Sequence, residues 1–214
     1  MIAVDAKMDI CLKSWRVENL FSVKSLMEAL LPGVAASTQG PSAAVAAVMR
    51  EGDLGVEMLF IERARKVGDP WSGQMAFPGG RTSRDDPHTL ATAQRETSEE
   101  LGLELPNANA LGRLSDVEGG PRGTAEKLRV TPHIFLITGP RPELVPNYEV
   151  ASALWVPVVA LLDSNRYVEY SYPPLGSNLW PGIKIEGDRV IWGLTLRMLR
   201  DLFERAGKPL TIRP

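Results

Sequence analysis

The chain has 214 residues, 44% hydrophobic and 23% charged, with a formal net charge of −2 and a pI near 5.8. That balance suits one globular domain with small additions and argues against a general nucleic-acid or anionic-membrane binder. Cys11 is the only cysteine, which excludes an intrachain disulfide and a cysteine zinc site, and the two histidines, His88 and His133, are too separated in sequence to suggest a zinc cluster.

Residues 1 to 30 carry Asp5, Asp9, Lys13 and Arg16 among apolar side chains, so no signal-peptide core is expected. No run reaches the ~20 apolar residues of a membrane span. The expectation is a cytoplasmic protein. From Ser14 to Leu31, apolar residues recur at helical spacing and stop at Pro32-Gly33, which predicts an N-terminal helical extension over residues 1–40. The main domain then spans 41–214. Its apolar runs Ala43–Met49 and Val56–Ile61, separated by Glu51-Gly52-Asp53-Leu54-Gly55, predict a β-hairpin. Gln74–Phe77 reads as a short strand feeding the turn Pro78-Gly79-Gly80. A polar loop, Thr82–Pro87, leads to a helix over residues 90–101, with Asp86 or Pro87 placed to start it.

Further along, Ala110–Leu114, Val130–Thr138 and Leu154–Val159 read as strands, with a short helical turn near Leu161. Tyr167–Tyr172 and Lys184–Ile191 suggest a hairpin joined by the loop Pro173–Pro181. Leu194–Arg205 is an amphipathic helix, with Leu194, Met198, Leu199, Leu202 and Phe203 on one side. The pattern predicts an α/β domain in which a mixed sheet is flanked by helices.

The most informative segment lies in the central helix, where Glu96, Glu99 and Glu100 fall within five residues. At about 100° per residue, Glu100 and Glu99 lie about 40° and 60° to either side of Glu96, so the three share a face. Like charges so placed repel by roughly 0.2–0.5 kcal/mol per pair. A solvated helix face is the ordinary reading of such a run. Two neighbours favour a functional one. Arg95 stands four residues before Glu99 and can pair with it, and Gly102 falls where a left-handed residue would end the helix. A hard divalent cation relieves the repulsion, and Mg²⁺ in particular is held by a few carboxylates together with substrate phosphates.

The segment Arg95-Glu96-Thr97-Ser98-Glu99-Glu100-Leu101-Gly102-Leu103 resembles the second half of the Nudix hydrolase pattern, Gly-x5-Glu-x7-Arg-Glu-U-x-Glu-Glu-x-Gly-U, with U a bulky apolar residue. Thr97 stands in place of the first U. The first half departs from the pattern. Gly80 lies fifteen residues before Arg95 rather than fourteen, and Pro87 stands where the earlier Glu would be, with Asp86 beside it as a substitute acid. Leu59–Ala64 and Gly73–Gly80 resemble the extra motif of the coenzyme A pyrophosphatase branch. Val130-Thr131-Pro132, Trp155-Val156-Pro157 and Ile191-Trp192-Gly193 look like its later landmarks. The second Arg of the extra motif is replaced by Gly68, in a loop one residue longer, and Arg65 or Lys66 stands nearby.

The resemblance implies a Nudix-type α/β/α sandwich that hydrolyses a diphosphate joining a nucleoside to another moiety, with Mg²⁺ or Mn²⁺ as cofactor. It implies Glu96 and Glu100 as main metal ligands, Glu99 as a further one and the Gly79 carbonyl completing the shell. Arg95 would orient Glu99. The general base stays open among Glu96, Glu99 and Glu149. Arg63 foremost, then Arg65, Lys66 and Arg81, would meet substrate phosphates, each weighed against a solvated surface cation. Trp71 and Trp155 suit stacking on a base or, better, core packing, and His133 suits a structural role. Coenzyme A or a derivative is the implied substrate. ADP-ribose, nucleotide sugars and dinucleotides are the rivals, and a nucleotide-sensing domain without turnover is the reading from another class. A homodimer is compatible with the resemblance, since many relatives pair.

Overall fold

A computed structural model of the chain describes residues 28–31, 42–52, 55–69, 71–120, 127–173 and 176–212. Most of the segment expected as an N-terminal helix lies outside the described residues. Glu28 and Ala29 are helical, and Leu31 bridges Arg113 of the domain.

In chain order the elements are β1 (Ser42–Gly52), β2 (Gly55–Arg63), β3 (Met75–Ala76), β4 (Gly79–Arg81) and the helix α1 (Thr89–Leu101). They continue with β5 (Ala110–Arg113), β6 (Val117–Gly119), β7 (Leu128–Ile137), β8 (Val150–Pro157) and α2 (Val158–Leu162). The last are β9 (Tyr167–Ser171), β10 (Leu179–Lys184), β11 (Val190–Trp192) and α3 (Gly193–Arg205). The main sheet has eight strands along the path β3-β2-β1-β7-β5, with β4 also on β1, β6 on β7 and β8 on β2. The β1–β7 pair is parallel, from Ser42↔Arg129 to Arg50↔Ile137, while the β1–β2 hairpin is antiparallel, so the sheet is mixed.

The continuous apolar run of β1 follows from burial on both faces. Ala43, Ala47 and Met49 join one core layer, and Ala44, Ala46 and Val48 join the other. On the second layer α1 lays Leu90, Ala93 and Leu101. On the first, α3 buries Leu196, Met198, Leu199, Leu202 and Phe203, beside Leu161 of α2 and Ile183 and Ile191 of the small sheet β11-β10-β9. The expected α/β architecture, helices on a mixed sheet, is therefore what forms. No helix among the described residues is long and apolar enough to cross a membrane.

Three local expectations are corrected. Pro78-Gly79-Gly80 is not a free turn. Gly79 and Gly80 open β4, paired with Val45 and Ala44, and a Cβ on Gly79 would collide with the Ala44 carbonyl. The predicted strand Lys184–Ile191 instead contains a turn at Gly187 (φ 67), closed by the Ile185 N–H donating to the Arg189 carbonyl. The strand that pairs with β9 is β10, which begins earlier, at Leu179, and holds Pro181, expected in the loop, opposite Glu169. Finally, α1 starts neither at Asp86 nor at Pro87. His88 caps it, its Nδ1 accepting the Ala91 N–H at 3.1 Å.

Candidate active site

Helix α1 presents the acids from an element fixed at both ends. At its start, the Thr89 hydroxyl meets Nε2 of the fully buried His133 at 3.0 Å. At its end, Gly102 adopts φ 65 and donates its N–H to the Ser98 carbonyl, the left-handed stop that the sequence implied. Thr97, the polar substitute in the motif, is buried without loss because its hydroxyl donates to the Ala93 carbonyl at 2.7 Å.

The shared face of the three acids divides by depth. Glu100 is 2% exposed, and one of its oxygens accepts the Gly79 N–H at 2.8 Å. Burial, reinforced by the Glu96 and Glu149 charges and only partly opposed by Gly79 and Arg63, pushes its carboxyl up to about 7. Glu96 is raised as well, first by burial, with Arg95 opposing. It lies against β4 so closely that a Cβ on Gly80 would strike its carboxylate. Glu99 points outward, its side chain 56% exposed.

Arg95 organises this cluster. Its guanidinium reaches Glu96 at 2.9 Å and Glu99 at 3.1 Å, and donates to the Arg81 carbonyl at 3.1 Å. It also grips Asp86 through two bonds, of 3.0 and 2.9 Å. Those bonds, with the Ser83 N–H and the Thr92 hydroxyl, hold the Asp86 carboxyl down to about 2 despite its burial. Asp86 is thus the loop acid that meets Arg95.

The acids face a cavity of about 380 Å³. Glu96, Glu100 and Glu149 line it together with Gly79, Arg63 and Arg81. Another part of its wall is apolar, with Val45, Trp71, Leu128, Val130, Leu194 and Met198. Arg63 is aligned by Asp69 at 2.9 Å. Arg65 and Lys66 are not in this cavity. Arg65 lines a neighbouring hollow with Glu62, Tyr170 and Arg189. Glu99 and Arg95 also stand outside the cavity lining. Trp155 packs against the core beneath Arg50, whose guanidinium lies 5.7 Å from the ring centre, so it is not a stacking platform. Burial holds the His133 imidazole down to about 4, which keeps it neutral and structural.

The reading from sequence missed Asn147. Its backbone N–H donates to the Glu100 carbonyl at 2.9 Å and its side-chain amide to the Glu99 carbonyl at 3.0 Å. Its Oδ1 accepts the Glu149 N–H at 2.8 Å. The signal in the sequence is Asn followed two positions later by Glu, since Asn side chains turn back onto the second N–H along the chain.

Among the described residues, no group of three or more His, Cys, Asp and Glu side chains stands ready to hold a metal ion as positioned. Arg95 holds Glu96 and Glu99, and the contact between Gly79 and Glu100 runs through the amide N–H rather than the carbonyl. The donor chemistry nevertheless fits a hard cation. Two carboxylates one helical turn apart, one buried with no ion-pair partner among the described residues, offer only oxygen. Mg²⁺ is usually held by a small carboxylate set of this kind, completed by water and phosphate.

The family model for the NUDIX domain matches residues 40–174. Curated proteins from Yersinia pestis and Yersinia pseudotuberculosis, each named an uncharacterized Nudix hydrolase NudL, are 30% identical over 134 residues, covering 63% of this chain and 65% of theirs. The chain thus spans a little under two-thirds of the length of these relatives. A MutT/nudix family protein from Enterococcus faecalis shares the fold, with a TM-score of 0.55 and 14% identity over 96% of this chain and 75% of that one. The matched segment holds the hairpin, β4, α1 and all the acids that line the cavity, and on it the chain belongs to the Nudix domain family.

Proposed function

We propose that this protein is a pyrophosphohydrolase that cleaves the diphosphate of a nucleoside diphosphate linked to another moiety, with Mg²⁺, or Mn²⁺ in its place, as cofactor. We further propose coenzyme A or a derivative as the substrate, giving 3′,5′-ADP and 4′-phosphopantetheine. One observation carries the reading. The buried Glu100 and its neighbour Glu96 open onto the same cavity as two cations, Arg63 and Arg81, so acid and phosphate-binding chemistry meet in one place.

A diphosphate is anionic, and water attacks it slowly unless its charge is offset and a proton is taken up. Glu96 and Glu100, with Glu99 and the Gly79 carbonyl as further donors, are the groups that would hold the cation. When bound, Mg²⁺ supplies charge neutralisation and acidifies water. The chain's own residues do the rest. Arg63, oriented by Asp69, and Arg81 fix the phosphate oxygens, so most of the catalysis comes from positioning and charge. Arg95 keeps the acids in register across the turn from β4 to α1. The apolar lining of Val45, Leu128, Leu194 and Met198 excludes water and accommodates an apolar part of the substrate.

The test is a substrate panel of coenzyme A, ADP-ribose, NADH and nucleotide sugars, assayed with Mg²⁺ and then Mn²⁺. Turnover of coenzyme A above the rest supports the full proposal. Preference for another member keeps the reaction and overturns the substrate. Tight binding of one compound with no turnover of any overturns the reaction in favour of a nucleotide sensor.

A further inference from the structure

We propose that a hollow outside the reaction cavity, walled by Arg65, Lys66, Ser72, Tyr170 and Tyr172, is a second binding site, and that its ligand is a nucleoside monophosphate. The inference goes beyond the hydrolase reading and does not depend on it.

The hollow adjoins the one lined by Glu62 and Arg189, sharing Arg65, Gly73 and Tyr170 with it. None of its described lining residues belongs to the reaction cavity. Its volume of about 540 Å³ falls within the roughly 300–1,000 Å³ of small-molecule sites.

Arg65 and Lys66 are exposed, and surface cations are ordinarily only solvated. Here the acids close by are engaged elsewhere. Asp69, in the wall of the hollow, is held by Arg63 at 2.9 Å, and Glu62 is held by Arg189 at 2.8 Å and by the Ser152 hydroxyl at 3.0 Å. The Arg65 and Lys66 side chains themselves make no ion pair or hydrogen bond among the described residues. Ser72 adds a third donor. Its Oγ accepts the Lys66 N–H at 2.7 Å, which leaves the hydroxyl proton to give. The loop that carries the three is bonded to itself, with the Asp69 N–H on the Lys66 carbonyl and the Ser72 N–H on the Asp69 carbonyl. A guanidinium, an ammonium and a hydroxyl on one fixed loop form a donor set suited to phosphate.

The facing wall is aromatic. Tyr170 and Tyr172 both lean on the buried Trp192, with ring centres 5.4 and 4.9 Å away. That backing sets the two rings before a ligand arrives, and aromatic faces stack on any nucleobase. Arg65 lies near enough to Tyr170 for its charge to reach the hydroxyl, so cation and ring belong to one place. An inorganic anion would leave the rings unused, and an uncharged ring compound would leave both cations without a partner. A small molecule bearing a base and a phosphate uses both walls.

The experiment is calorimetry on the full chain in EDTA, with AMP, GMP and CMP as probes and melting temperature as the folding control. At least one nucleotide is expected to bind, and Arg65→Ala to weaken it by about tenfold or more, as for loss of a charge-assisted contact. Tyr170→Leu is expected to weaken it by about fivefold or more through lost stacking. Arg81→Ala, a change in the reaction cavity, should leave the affinity within about twofold of wild type. Inorganic phosphate and the free nucleoside are each expected to bind at least about tenfold more weakly than the nucleotide.

Four results overturn the inference. They are no binding of any of the three nucleotides at millimolar concentration, wild-type affinity in Arg65→Ala, and inorganic phosphate binding as tightly as the nucleotide. The fourth is a loss in Arg81→Ala equal to that in Arg65→Ala, which places the nucleotide in the reaction cavity instead. Arg65 is exposed, so its variant tests the site even where Tyr170→Leu disturbs the packing around Trp192.

Discussion

Replacing Glu100 by Gln separates the cost of the acid pocket from its use. Burial raises the folded-state carboxyl from 4.5 to about 7, so the folded protein prefers Glu100 protonated. The sign follows directly. The wild type is unpenalised below pH 4.5 and loses stability as pH climbs through about 7. The shift corresponds to about 3 kcal/mol of destabilisation at pH 8. Glutamine removes the charge, keeps an oxygen for the Gly79 N–H, and brings a buried amide whose desolvation returns about 1 kcal/mol. The net expectation in EDTA at pH 8 is a gain of about 2 kcal/mol, or about 4–8 °C in melting temperature for a domain of this size. The gain shrinks to nothing at about pH 5, where the charge penalty has fallen to the cost of the amide, and saturating Mg²⁺ narrows it at pH 8, because the wild type alone keeps its full site for the ion. Turnover falls by orders of magnitude in the same variant. Thermal melts across pH decide the matter. A Glu100→Gln protein no more stable than wild type at pH 8 without metal refutes the claim that the pocket holds an uncompensated charge.

Three other expectations follow from the same geometry. Asp86 titrates near 2 rather than 3.8 because Arg95 grips it, so Asp86→Asn is expected to cost about 2 kcal/mol at pH 7; urea melts should show the difference fading as pH falls through about 2. Gly80→Ala places a methyl group against the Glu96 carboxylate, and steady-state kinetics should show kcat reduced by at least about tenfold with circular dichroism unchanged. The unfolded chain protonates His133 near 6.5 while the fold resists until about 4, so acid should remove about 3 kcal/mol of stability across that window, a loss that Asn at this position abolishes.

Legibility from sequence tracked how local the determining interaction was. The hairpin, α1 and its glycine stop, and α3 rest on periodicity and capping within a few residues, and they form with small shifts of boundary. Glycine 79 read as a turn because its partner, β1, is distant in sequence, and only that pairing explains why a side chain is forbidden there. The acid cluster was legible in composition and spacing. Its division into a buried Glu100 and an exposed Glu99 was not, since that depends on β4 covering one side of the helix. Arg63 stood foremost in the motif with Arg65 behind it, and only the structure shows that Arg65 lines a different hollow. Asn147 was overlooked because its partners are helix carbonyls 47 to 48 positions away.

The parallel pairing of Ser42 with Arg129 sets an order of events for the newborn chain. The strand at the centre of the sheet leaves the ribosome long before its neighbour β7, and until then an unbroken stretch of alanine, valine and methionine is half covered. Non-local pairing of this kind closes late and leaves hydrophobic surface open in the meantime. Chaperone dependence and loss of yield on rapid expression should therefore concentrate on residues 42–50, the same strand that carries Val45 into the cavity wall.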